Sequence, residues 1–229
     1  AEFHEYKRDL ESVGEFIRLY CSRYGRWSSP KYLIGESYGT TRAAGLSGHL
    51  LERHGMYVNG IMLVSCALDF TVLRFEPNND LPPVLFLPSY AAAAWYHGKL
   101  AADLQAKPVA DVLKEVRAFA EGDYQEALAR GDRLQGEARA AIRAQLARFT
   151  GLSPEYLEET DLRIQIQRFC KELLRREGHT VGRLDSRFQG VDASGVAERP
   201  EFDPSMTAIR PPYTATFNGE QDVYYIRVF

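Results

Sequence analysis

Tyr32-Leu33-Ile34-Gly35-Glu36-Ser37-Tyr38-Gly39-Thr40 is the stretch that decides how this chain is read. An apolar run leads into a Gly-x-Ser-x-Gly pattern, and small residues (Ala43, Ala44, Gly45, Gly48) follow it at helical spacing. Strand, sharp turn, helix is the context in which that pattern forms a nucleophile elbow. The turn strains the serine backbone, so its neighbours must be free of bulk, and Gly35 and Gly39 meet that need. Ser37 then stands exposed near a helix N-terminus, where the Tyr38 N–H can hold a developing oxyanion. The alternative is an ordinary glycine-rich turn whose serine caps the helix.

On either side, the pattern is that of a parallel sheet. Residues 9–24 place Leu10, Val13, Phe16, Ile17, Tyr20, Cys21 and Tyr24 at three- and four-residue steps, an amphipathic helix with its stripe on a sheet. It starts either at Asp9 or at the Ser12/Glu15 capping-box spacing. Residues 31–35 read as a buried strand. After the elbow helix, Asn59-Gly60 marks a turn and Ile61-Met62-Leu63-Val64 a second apolar strand. Helix, strand, elbow, helix, strand is an α/β arrangement with crossover connections.

The character then changes. Residues 76–83 are irregular, and residues 90–100 form an alanine- and aromatic-rich helix containing Trp95, Tyr96 and His97. Charged amphipathic helices follow. Pro108 and Ser153-Pro154 act as starts, Gly122, Gly131, Gly151 and Gly178 as stops, and the last long helix covers residues 161–177. Residues 71–185 thus read as an all-helical insertion in an α/β chain, the pattern of a cap or lid. Residues 186–229 read as a return segment towards the core, with strands at 213–217 and 222–229.

Composition narrows the classes. With 229 residues, 45% apolar, the chain can bury a substantial core. A net charge of −3 does not point to nucleic acid or an anionic membrane surface. No apolar run approaches the ~18 residues of a membrane span. Cys21, Cys66 and Cys170 are odd in number and widely spaced, which gives no disulfide framework and no zinc site, and each reads as a buried thiol. No metal and no cofactor are expected. Residues 1–8 carry no signal pattern.

Gly35-Glu36-Ser37-Tyr38-Gly39, the longer run 34–46, and the stretches 59–69 and 80–100 resemble the serine carboxypeptidase family of α/β-hydrolases, most closely its bacterial members. The resemblance is strongest over residues 12–100 and fades through the helical region. Gly39 departs from it, because the better-known eukaryotic members carry alanine there. The resemblance implies a partial α/β-hydrolase fold (residues 1–70) bearing a mainly helical cap (71–185). It implies a serine-type carboxypeptidase that releases C-terminal amino acids through an acyl-enzyme on Ser37. Tyr38 matches an oxyanion-hole donor. Glu36 matches a glutamate that recognises the substrate's terminal carboxylate through a proton shared with a second acidic group, which demands a raised pKa. A secreted or periplasmic setting is also implied.

In this fold the acid and the histidine follow the nucleophile in chain order. No histidine follows residue 179, and the upstream glycine-rich oxyanion motif is missing, so the sequence reads as an internal piece of a hydrolase. Asp69 and His179 have a permitted order, but His179 reads as the end of a cap helix. His49, His54 and His97 read as packing or surface residues. Two other readings stand beside the peptidase: a carboxylesterase of the same fold, and a non-catalytic association module. Peptide or ester substrates are the expected partners, without nucleic acid or membrane, together with self-association through exposed sheet edges.

Overall fold

The computed structural model describes residues 5–191 and Pro200. They form a mixed α/β structure, mostly helical, with one two-stranded parallel sheet and one short antiparallel pair. The expected strands at 213–217 and 222–229 lie outside the described residues. The chain divides into two compact units, Ala1–Phe70 and Thr71–Phe229.

In the first unit, β1 (Tyr32–Glu36) and β2 (Gly60–Val64) run parallel, with Tyr32 beside Gly60 and Glu36 beside Val64. Parallel neighbours need a crossover, and α2 (Tyr38–His54) supplies it. Asn59 is more than a turn residue. Its N–H donates to the Lys31 carbonyl at 2.7 Å and its side-chain oxygen accepts from the Lys31 N–H at 2.8 Å, which sets the strands in register at their start.

The helix α1 (Tyr6–Arg23) precedes the strands and packs on α2. Its expected stripe splits in two. Leu10 and Cys21, with Val13 and Ile17 beside them, join Leu46, Leu50 and Met56 in the core of this unit. Phe16, Tyr20 and Tyr24 stay exposed and form a ladder of rings, 6.4 and 4.7 Å between successive centroids. The stripe therefore serves a helix–helix contact, and is narrower than one that covers a sheet. Gly45 likewise faces a helix: a side chain there would strike the Tyr6 hydroxyl of α1 at 1.9 Å. The capping box does not form. The helix starts at Tyr6 without a side-chain cap, and Glu15 instead accepts from Arg18 at 2.7 and 2.6 Å.

The second unit holds α3 (Leu81–Tyr96), α4 (Ala102–Gln105), α5 (Val109–Phe119), α6 (Gln125–Arg130), α7 (Gly136–Thr150), α8 (Pro154–Glu159) and α9 (Ile166–Glu172). Its core includes Leu87, Tyr90, Tyr124, Leu146 and Phe169, with Tyr90 stacked on Phe169 at 4.3 Å. Several expectations are corrected here. The helix expected over 90–100 begins at Leu81, because Pro82 and Pro83 occupy a first turn whose N–H groups need no partner. Gly122 stops nothing: it lies in a π-turn, Ala120–Tyr124, that joins α5 to α6 and seats the Tyr124 ring in the core.

The helix expected over 161–177 starts only at Ile166. Asp161 and Leu162 have φ of 49° and 60°, outside the helical region. Tertiary bonds hold that connection: the Tyr124 hydroxyl donates to the Leu162 carbonyl at 2.5 Å, and the Tyr90 hydroxyl to the Ile164 carbonyl at 3.2 Å. Nor is 71–185 all helical. β3 (His179–Val181) pairs antiparallel with β4 (Gln189–Val191), so His179 lies in a strand and not at a helix end. Cys21 and Cys170 are buried, whereas Cys66 is exposed in the segment after β2.

Candidate active site

The polypeptide turns from β1 into α2 through Ser37, which has φ 53° and ψ −120°. A serine at positive φ costs about 1–3 kcal/mol and persists only where its surroundings over-determine it. Those surroundings are visible. The Ser37 N–H donates to the Val64 carbonyl at 3.0 Å, continuing the β1–β2 ladder by one residue. The Ser37 carbonyl accepts from the Thr40 N–H at 2.9 Å and from the Thr40 hydroxyl at 2.6 Å. Gly35 is buried beneath the turn, where a side chain would meet the Gly39 carbonyl oxygen at 1.9 Å. Gly39 has open space around it, so only the first elbow glycine is required by crowding.

Ser37 itself is exposed, and its side chain makes no capping bond to α2. This excludes the helix-capping alternative for that residue. Tyr38 is the first residue of α2, so its N–H has no partner within the helix. The first turn carries no acidic residue to offset the positive end of the helix dipole. An exposed hydroxyl, a helix N-terminus and the carboxyl ends of two parallel strands therefore meet at one edge.

The segment after β2 is tied to this turn. The ladder ends where Glu36 lies next to Val64, and Ser65, the residue after Val64, also has φ 53°. The chain after Ser65 is fastened to α2. The Ala67 N–H donates to the buried Thr40 hydroxyl oxygen at 2.8 Å, and the Thr41 hydroxyl donates to the Ala67 carbonyl.

The sequence reading misses one feature. Asp9 is buried on α1, and both its oxygens are engaged. Arg42 donates from Nε to Oδ2 at 2.8 Å and from Nη2 to Oδ1 at 2.9 Å, while the Tyr38 hydroxyl donates to Oδ2 at 3.1 Å. The Arg42 guanidinium also lies over the Tyr38 ring, 5.3 Å from its centroid. Hydrogen bonds from Arg42 hold the Asp9 carboxyl below its ordinary pKa against the opposing effect of burial. The same bonds raise Arg42, and burial followed by the Asp9 contact raises the Tyr38 phenol. The available signal was the spacing of Tyr38 and Arg42, four apart and so on one helix face, which needed a partner. In the sequence alone Asp9 reads only as a helix start.

Glu36 ends β1 and is exposed. His49 and His54 lie along α2, where they pair edge to face at 5.7 Å, and His49 fills the space left by Gly14. Twelve residues of helix separate His49 from Ser37, or about 18 Å of axis, beyond the reach of proton transfer. Asp69 belongs to the first unit and His179 to the second. His97 closes α3, bonded through Nε2 to the Ser186 carbonyl at 2.7 Å and through Nδ1 to Gln189 at 3.2 Å. Both its nitrogens are thus committed to the β3–β4 hairpin. In the second unit a cavity of about 440 Å³ lies among Ser153, Tyr156, Glu159, Arg168 and Glu172, and it shares no residue with the elbow. Among the described residues no cluster of ligating side chains could hold a metal, and no helix is long and apolar enough to cross a membrane. Compared with known proteins, the chain matches no family model, no curated protein and no solved structure.

Proposed function

We propose that this chain carries the nucleophile of a serine hydrolase, a serine-type carboxypeptidase of partial α/β-hydrolase fold, with Ser37 as its attacking group. The observation that carries the reading is the backbone of Ser37: φ 53° at a strand-to-helix turn, with the hydroxyl exposed and engaged in no cap. A serine that only capped α2 would need none of that strain.

On this reading the Ser37 Oγ attacks the carbonyl carbon of the C-terminal peptide bond, and its proton passes to a general base. The Tyr38 N–H holds the resulting oxyanion. Collapse breaks the C–N bond, the amine leaves with the proton, and water hydrolyses the acyl-enzyme to restore the serine. His49 and His54 are too far up α2 to serve, so neither described histidine of the first unit is the base. Glu36, exposed one residue before the nucleophile, is assigned to the substrate's terminal carboxylate through a shared proton. The second unit is assigned as the cap. A secreted or periplasmic setting belongs to the same proposal.

Labelling with a fluorophosphonate, read by intact mass with Ser37→Ala as control, tests it. One adduct that disappears in the variant supports an activated serine. No adduct on folded protein rejects catalysis by this chain. A second reading, a non-catalytic association module, is favoured by the exposed apolar side chains of β1 and β2, and that outcome would leave it standing. Esterase and peptidase separate on Glu36→Gln, which slows cleavage of substrates with a free terminal carboxylate and spares neutral esters if Glu36 has the assigned role.

A further inference from the structure

We propose that Asp9 is a positioning residue for the Ser37 site. From α1 its carboxylate grips Tyr38 and Arg42, one helical turn apart on α2, and so fixes the amide that follows the nucleophile. The purpose of that amide rests on the hydrolase reading, while the grip rests on geometry alone.

The peptide between Ser37 and Tyr38 is the one whose rotation would relieve the strain at Ser37 and turn the Tyr38 N–H away. Its Ser37 side is held by the bond to Val64 and by the Thr40 hydroxyl. Its Tyr38 side is held through the Tyr38 side chain, whose hydroxyl lies 3.1 Å from Asp9 Oδ2. Arg42 closes the arrangement, bonded to both Asp9 oxygens and stacked over the Tyr38 ring. One hydrogen bond and a cation over its ring thus hold the Tyr38 side chain at the helix start, and three hydrogen bonds converge on Asp9. A buried carboxylate is a costly way to join two helices, since apolar residues of similar volume do so at least as well. What the carboxylate adds is direction: it accepts from the phenol and the guanidinium at fixed angles.

The control is on the same helix. Glu15 and Arg18 form a bidentate pair on α1 that touches nothing at the elbow. The experiment compares Asp9→Asn, Tyr38→Phe and Arg18→Gln in the 229-residue chain, by amide hydrogen exchange and by fluorophosphonate labelling. Asp9→Asn and Tyr38→Phe should speed exchange at residues 40–42 by about tenfold while residues 46–54 keep the wild-type rate. Arg18→Gln should change neither. At Ser37, the two elbow variants should lower the maximum labelling rate about tenfold or more with the half-saturating reagent concentration unchanged, as expected when a donor is misplaced. Unchanged exchange at residues 40–42, or a uniform rise across the first unit, overturns the grip. A lower melting temperature with an unchanged labelling rate makes Asp9 merely structural and overturns the positioning role. If wild type takes no label, the hydrolase reading fails, and exchange still decides whether Asp9 holds the turn.

Discussion

A methyl group built on Gly35 falls 1.9 Å from the carbonyl oxygen of Gly39, backbone against backbone across the elbow. Neither atom can yield without opening the turn between them. Gly35→Ala should therefore destabilise the first unit by about 2 kcal/mol or more, as overpacking does, and relax Ser37. Gly39 meets nothing within 4 Å and sits in the first turn of α2. Gly39→Ala should be neutral or stabilise by about 0.5–1 kcal/mol through helix propensity. Chemical denaturation of the two variants checks both signs. Equal destabilisation would remove the distinction drawn between the elbow glycines.

Thr40 gives a second test. Its fully buried hydroxyl donates to the Ser37 carbonyl and accepts from the Ala67 N–H, so it ties the elbow to the segment after β2. Thr40→Val keeps the shape and removes both bonds, leaving the Ala67 N–H without that acceptor. The expected loss is about 2 kcal/mol, with Thr40→Ser retaining most of the stability. Equal denaturation midpoints for the valine and serine variants would show that the hydroxyl contributes nothing.

The Asp9–Arg42 pair predicts a pH dependence whose sign is fixed. Hydrogen bonds from Arg42 depress the Asp9 pKa below its ordinary 3.8 in the folded protein. A depressed carboxyl contributes stability that is complete above the unfolded-state pKa and lost as pH falls through the folded one. The stability difference between wild type and Asp9→Asn should then be flat from about pH 8 to 5 and shrink below about pH 4. Equilibrium denaturation across that range measures it. A difference that grows on acidification would reverse the assignment.

In the second unit, the Tyr124 hydroxyl is fully buried and donates to the carbonyl of Leu162, a residue at φ 60°. Tyr124→Phe removes the donor and leaves the ring in place. A buried acceptor without its partner should cost about 1–3 kcal/mol. Tyr96→Phe, at an exposed ring on the last residue of α3, should cost under about 0.5 kcal/mol. Matched denaturation midpoints for the two variants would count against the Leu162 contact.

The sequence shows most where local pattern and local chemistry coincide. The apolar runs before Ser37 and after Asn59 are the two strands, and a parallel pair requires the helix between them. Gly131, Gly151 and Gly178 end helical segments at positive φ because only that conformation closes those turns at low cost. What stayed hidden was settled by distant partners. Residues 161–165 have helical composition, yet Tyr124, Tyr90 and Asp80 claim their carbonyls and the Arg163 side chain. Gly122 resembles a stop and is instead the middle of a wide turn. At the candidate site, Ser37 and Tyr38 could be placed from the motif. Asp9 could not, because it stands 28 residues before Ser37 and its role exists only once α1 lies on α2.

The alternation along β1 leads to a prediction about association. Leu33 and Gly35 turn towards the helices, whereas Tyr32 and Ile34 on the other face are 64% and 70% exposed. On β2, Met62 stands beside Ile34 and Val64 beside Glu36, and these two are 49% and 46% exposed. Four apolar side chains thus share one face of a two-stranded sheet, and among the described residues each strand also has a free edge. The 229-residue chain should therefore sediment as more than a monomer at tens of micromolar. Ile34→Lys combined with Met62→Lys should shift it towards the monomer with little change in denaturation midpoint, because neither side chain is buried within its own unit. A monodisperse wild-type monomer would rule out association through this face. An oligomer that survives both lysines would place the contact elsewhere, with the exposed Phe16-Tyr20-Tyr24 ladder of α1 the next surface to substitute.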